Sequence, residues 1–133
     1  MLAGWQECRD IFIVKYQAPL QDHDQQQTGP QAARQSGLAL HTDGSIISFN
    51  VLLSEPVDFD GGGTFFSHLG RVVAPDQGEA VVHDGKKQHA GVPITRGVRY
   101  LLVGFVEVSK LLGVAFAVFG VISWFGGKVL ITF

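Results

Sequence analysis

Three side chains with metal-binding chemistry carry the pattern H-x-D…H: His41 and Asp43 in "LALHTDGS", and His89 in "KKQHAGVP", nearly fifty residues later. In an extended segment, residues two apart point the same way, so His41 and Asp43 would present an imidazole and a carboxylate side by side. Two neutral nitrogen donors and one carboxylate form the facial triad that binds Fe(II) on one face and leaves the opposite positions open. H-x-D alone recurs by chance, so its weight depends on its company. Arg99 supplies it. It follows His89 by ten residues, in "VRYLLVGFV", where alternation puts Arg99, Leu101, Val103 and Phe105 on one face. A guanidinium on an otherwise apolar face needs an anion, and its planar fork suits a carboxylate. A ligand triad plus a carboxylate clamp is what a dicarboxylate chelating iron at one end would require.

The elements that must position these groups read as strands. "DIFIVKYQ", "LALHT", "SIISFNVLL", "GTFFSH", "RVVA", "EAVVHD", "QHAGVPI" and "VRYLLVGFVEV" follow one another, separated by "DG", "SEP", "DGGG", "PDQG" and "DGKK". Those separators are turn chemistry. About eight short strands with no helical period predict a mainly β fold, a sandwich or jelly roll. The 133 residues are one domain's worth of chain. A net charge of −2 without a basic block argues against nucleic acid as a partner. Cys8 is the single cysteine, so no internal disulfide and no thiolate metal cage can form. The N-terminus meets charge early and lacks an apolar h-region, so no secretory signal is expected; the compartment stays open.

Other polar residues have plainer readings. His23 falls in the polar, Gln-rich stretch 22–37, within a long loop at 18–37 that suits a substrate lid. His68 and His83 are expected as solvated or locally bonded histidines at strand ends. Asp58 and Asp60 in "DFDGGG" read as a strand exit, Gly61–Gly63 as a tight turn or bulge, and Arg96, Lys86 and Lys87 as solvated turn charges.

"HTDGS", "SFNVLLS", "DFDGGGTFF", "HDGKKQHAGVPITRGVRY" and "LLVGFVEV" together resemble the Fe(II)/2-oxoglutarate-dependent dioxygenases, in the prolyl 4-hydroxylase-like branch that includes the lysyl hydroxylases. The resemblance covers roughly residues 10 to 108. It implies a double-stranded β-helix, with His41, Asp43 and His89 as iron ligands and Arg99 holding the far carboxylate of 2-oxoglutarate. Tyr16 would line the co-substrate pocket. The implied activity is hydroxylation of a substrate C–H bond, first a prolyl or lysyl side chain in a peptide or protein, using dioxygen, with ascorbate as reductant. Only about nine residues precede the first strand, where family members carry buttressing helices, so the fold is expected in a minimal version. The competing readings are a non-catalytic jelly-roll binding or scaffold domain that has lost activity, and a small sugar- or carboxylate-binding jelly roll.

The expected organisation is a dioxygenase domain at 1–109 and an apolar tail at 110–133. From Leu111 to Gly127 the tail has no charge, with Lys110 and Lys128 on either side. Seventeen residues is the short limit for a membrane-spanning helix. A membrane anchor is the first reading of this segment; a strand or helix covering a sheet face, or sequence appended by an errant gene model, are the others.

Overall fold

The computed structural model describes residues 10–19, 34–106 and 128–132. The lid reading for most of 18–37, His23, Cys8, and the readings of the apolar segment 111–127 lie outside the described residues. Among the described residues no helix is long and apolar enough to cross a membrane.

Two sheets make a jelly-roll type β-sandwich, as the period-two runs predict. The larger is ordered β1 (Asp10–Gln17), β9 (Ile94–Val106), β3 (Ile47–Leu52), β7 (Ala80–Asp84) and β10 (Val129–Thr132), with β4 (Phe59–Gly61) pairing the first part of β9. The smaller is ordered β2 (Leu38–His41), β8 (His89–Gly91), β5 (Thr64–Phe66) and β6 (Arg71–Val73). Pairing is antiparallel except for β10, which runs parallel to β7 from Val129↔Ala80 to Thr132↔His83. The last part of the tail, Val129–Thr132, adds a strand to the larger sheet.

β3 shows how alternation becomes architecture. Phe49 and Val51 cluster with their neighbours Ala80 and Val106, all buried, and with Ile47. Ser48 and Asn50 take the alternate positions and line a cavity between the sheets. A second buried cluster joins Tyr16, Leu52, Ile94 and Leu101, of which Tyr16 and Leu101 also line that cavity. The polar face of an otherwise apolar strand is thus where the site is built.

β9 starts earlier than the sequence indicates, at Ile94 instead of Val98, because Gly97 hides the continuity. It pairs with Phe59 at φ +74°, a left-handed conformation that glycine takes without strain, where β9 passes from pairing β4 to pairing β1. A Cβ there would stand 1.8 Å from the Asp58 carbonyl oxygen. Gly97→Ala must therefore move backbone. The expected loss is about 2 kcal/mol or more, lowering the melting midpoint by roughly 8 °C or more. Gly44, with nothing within 4 Å of its Cβ position and no positive φ, is the control. Equal melting of Gly97→Ala and Gly44→Ala would contradict this close backbone approach.

Two surface readings change with this register. Asp60 lies on β4 rather than at a strand exit, and Arg96 on β9 rather than in a turn. They form an exposed bidentate pair, Arg96 Nε to Asp60 Oδ2 at 2.6 Å and Nη2 to Oδ1 at 3.1 Å.

Candidate metal centre

His41 and His89 are register partners across the β2–β8 ladder, with ring centroids 4.4 Å apart. Asp43 follows two residues later in the turn after β2, where its N–H donates to the Gly85 carbonyl at 2.7 Å. Its carboxylate lies between the rings: His41 Nε2 is 3.4 Å from Oδ1 and His89 Nε2 is 3.5 Å from Oδ2. One ligand atom from each of the three residues falls within 4.8 Å of the others.

The imidazoles are oriented from behind. His41 Nδ1 is 2.7 Å from the Ala39 carbonyl oxygen, and His89 Nδ1 is 2.9 Å from that of Lys87. A carbonyl only accepts, so Nδ1 carries a proton on both rings, and Nε2 is the ring nitrogen turned toward Asp43. Backbone support of this kind is what holds a metal-ligating histidine in place. The donor set, two neutral nitrogens and one carboxylate, fits Fe(II).

Across the same cavity Arg99 is 1% exposed, and its Nε and Nη1 have no hydrogen-bond partner among the described residues. Its guanidinium carbon lies 5.8 Å from the Tyr16 and Phe59 ring centroids. Burial pulls its pKa down, against the opposing effect of Tyr16. A cation held this dry with donors unsatisfied is poised for an anion. Gly62 makes room for it. At φ +79°, a Cβ on Gly62 would come within 3.2 Å of Arg99 Cδ and of Ile94 Cγ2. The glycine run is thus a wall of the site as well as a turn. Tyr16 pairs with Arg99 across β1–β9 and is buried; desolvation raises its phenol pKa, partly offset by Arg99.

All five residues singled out from the sequence border one cavity of about 90 Å³. A single water needs roughly 10–15 Å³ on this kind of measure, so the space suits a small ligand. Asn50 was not foreseen. It also borders the cavity, with Oδ1 buried and unpartnered among the described residues.

His83 departs from its expected solvated position. It is 2% exposed, edge-on to Phe66 and His89, with Nδ1 3.2 Å from the Asp84 carbonyl. Burial, the largest cause, lowers its pKa to about 4, so it is neutral near pH 7. It walls the cavity without joining the ligand group. Alternation in "AVVHD" carried the signal, since His83 shares a face with fully buried Val81.

No family model matches the chain. It is 42% identical over 77 residues to the multifunctional procollagen lysine hydroxylase and glycosyltransferase of Rattus norvegicus, a match covering 55% of this chain and 10% of that protein. Procollagen-lysine,2-oxoglutarate 5-dioxygenase 1 of Homo sapiens is 38% identical over the same length, covering 55% and 11%. The Bos taurus counterpart is 36% identical with the same coverage. The chain thus spans about a tenth of the length of these curated relatives. Over the matched segment its homologues are lysyl hydroxylases, of the Fe(II)/2-oxoglutarate dioxygenase branch that its motifs resemble.

Proposed function

We propose that this chain carries a 2-oxoglutarate-dependent hydroxylase site, with His41, Asp43 and His89 holding Fe(II) and Arg99, beside Tyr16, holding the far carboxylate of the co-substrate. The observation that carries the reading is the pairing, across one cavity, of a convergent His–Asp–His group with a buried guanidinium lacking partners. When bound, iron with 2-oxoglutarate and dioxygen supplies the oxidising power that converts a substrate C–H to C–OH, releasing succinate and carbon dioxide. Ascorbate fits as the reductant that keeps the metal ferrous. His41 and His89 offer neutral nitrogens fixed by their backbone bonds, and Asp43 contributes the one negative charge. Arg99 fixes the co-substrate at the end remote from the triad, and the apolar walls from Val14, Leu101 and Val103 limit water.

The substrate proposed first is a lysyl side chain in a collagen-like peptide, because the relatives are named as procollagen lysine hydroxylases. A prolyl side chain is second. The test is succinate production with Fe(II), 2-oxoglutarate and ascorbate, beside a peptide panel read for the mass of one added oxygen. Oxygen addition to the lysyl peptide, abolished by chelator, is the expected result. The alternative is a binding or scaffold domain on the same fold. Uptake of metal and 2-oxoglutarate without succinate would support that alternative.

A further inference from the structure

Asp43 is the triad member whose side chain touches no ladder partner, yet its carboxylate is fixed. Ser48, on the cavity face of β3 and 1% exposed, donates its hydroxyl to Asp43 Oδ2. Ser45, 5% exposed, lies 2.8 Å from Ser48, oxygen to oxygen. The direction of the chain follows from donor chemistry. An ionised carboxylate only accepts, so Ser48's single proton goes to Asp43, and Ser45 must be the donor to Ser48. Chains of this kind polarise and strengthen each member.

The chain is itself anchored. Asp43 N–H donates to Gly85 O at 2.7 Å, and Gly85 N–H donates to Ile46 O at 3.0 Å, stapling the 43–46 turn to the end of β7. A Cβ on Gly85 would stand 2.7 Å from Ser45 Oγ, so the close approach that seats Ser45 depends on a bare backbone.

We propose that Ser48, backed by Ser45, is the positioning residue for the carboxylate ligand, holding Oδ2 so that Asp43 offers the metal Oδ1 alone. This rests on the metal-site reading above. A carboxylate binding through both oxygens would take an additional coordination position, one that co-substrate or dioxygen requires at a facial triad. Because the donors are neutral hydroxyls, the full carboxylate charge remains available to the cation.

The experiment is an anaerobic titration of the full chain with Co(II), a probe whose visible absorption reports coordination number, on the parent and Ser48→Ala, Ser48→Cys, Ser48→Thr and His89→Ala. Ser48→Ala is expected to weaken binding about tenfold and change the Co(II) spectrum, as loss of a ligand's supporting partner does. Ser48→Cys keeps the volume with only a weak donor and should behave like Ser48→Ala, which covers the case where the alanine variant does not fold. Ser48→Thr restores a hydroxyl and should keep the parent spectrum, with affinity within about threefold. Parent-like affinity and spectrum in the Ala and Cys variants would overturn the assignment, as would a Thr variant as impaired as Ala. Failure of the underlying reading looks different: there the parent takes up no Co(II), or His89→Ala binds as the parent does.

Discussion

Asp43→Ala is expected to abolish Fe(II)-dependent succinate production, a loss of more than roughly a hundredfold, the upper end of what removing a ligand's supporting partner costs. It removes the only anion in the ligand group and leaves His41 and His89 with no charge to offset the cation. The substitution also strands Ser48, whose hydroxyl loses its acceptor in a buried position. That costs about 1–3 kcal/mol, so the variant should melt lower yet remain folded. Asp43→Asn separates the causes, since it keeps size and one oxygen but lacks the charge. It should be nearly as inactive as Asp43→Ala while melting closer to the parent. Ala at His41 or His89 should be inactive too, each removing one nitrogen. Anaerobic Fe(II) titrations that leave all three alanine variants indistinguishable from the parent would remove the triad from the mechanism.

Arg99 gives the second large effect, and its sign depends on what is measured. Arg99→Met should raise the 2-oxoglutarate requirement roughly ten- to hundredfold, as expected from losing charge-assisted bonds worth about 1.5–3 kcal/mol. Iron affinity should change little. Stability of the protein without co-substrate should hold or rise, because a buried guanidinium with unpartnered Nε and Nη1 is replaced by an apolar chain of similar length. Saturating 2-oxoglutarate should raise the melting midpoint of the parent by ligand linkage and raise that of the variant distinctly less at the same concentration. Arg96→Ala is the internal control. It breaks an exposed pair with Asp60 and a bond to the Val57 carbonyl, and lies outside the cavity. Comparable co-substrate defects in Arg96→Ala and Arg99→Met would mean the clamp has been placed on the wrong arginine.

Legibility followed how local the cause was. β1 matches "DIFIVKYQ" from end to end, because alternation and flanking composition decide it. The Arg99, Leu101, Val103, Phe105 face points into the cavity as alternation predicts. β4 was missed because "DFDGGG" is turn chemistry until Phe59 pairs with Gly97, a contact set by the distant strand. Gly97 likewise looks like a break, although at positive φ it continues one long strand. His83 read as solvated from its place beside a turn, although alternation with Val81 already put it on the buried face, and Phe66 beside it is a contact from a distant strand. β10 pairs in parallel with β7, a long-range match that no local turn signals. Ser48 was overlooked for a different reason: a serine in an apolar strand is bland until the carboxylate it holds is in view.

The central place of β9 has a consequence for synthesis. Among the described residues the strand that pairs with 10–17 is 98–105, so β1 leaves the ribosome long before the segment it must pair with. At about 5–20 residues per second that wait is roughly 4–16 s. Throughout it, Phe12, Ile11 and Ile13 are an unpaired apolar strand of the kind that aggregates or is held by a chaperone. β3 and β4 must also await β9, and non-local pairing of this kind is intrinsically slow. A nascent chain stalled short of Ile94 already contains His41, Asp43 and His89 but has neither Arg99 nor the strand that joins β1 to β3. The proposed ligand triad and the proposed arginine clamp thus come together in one late event, after translation has passed Val106.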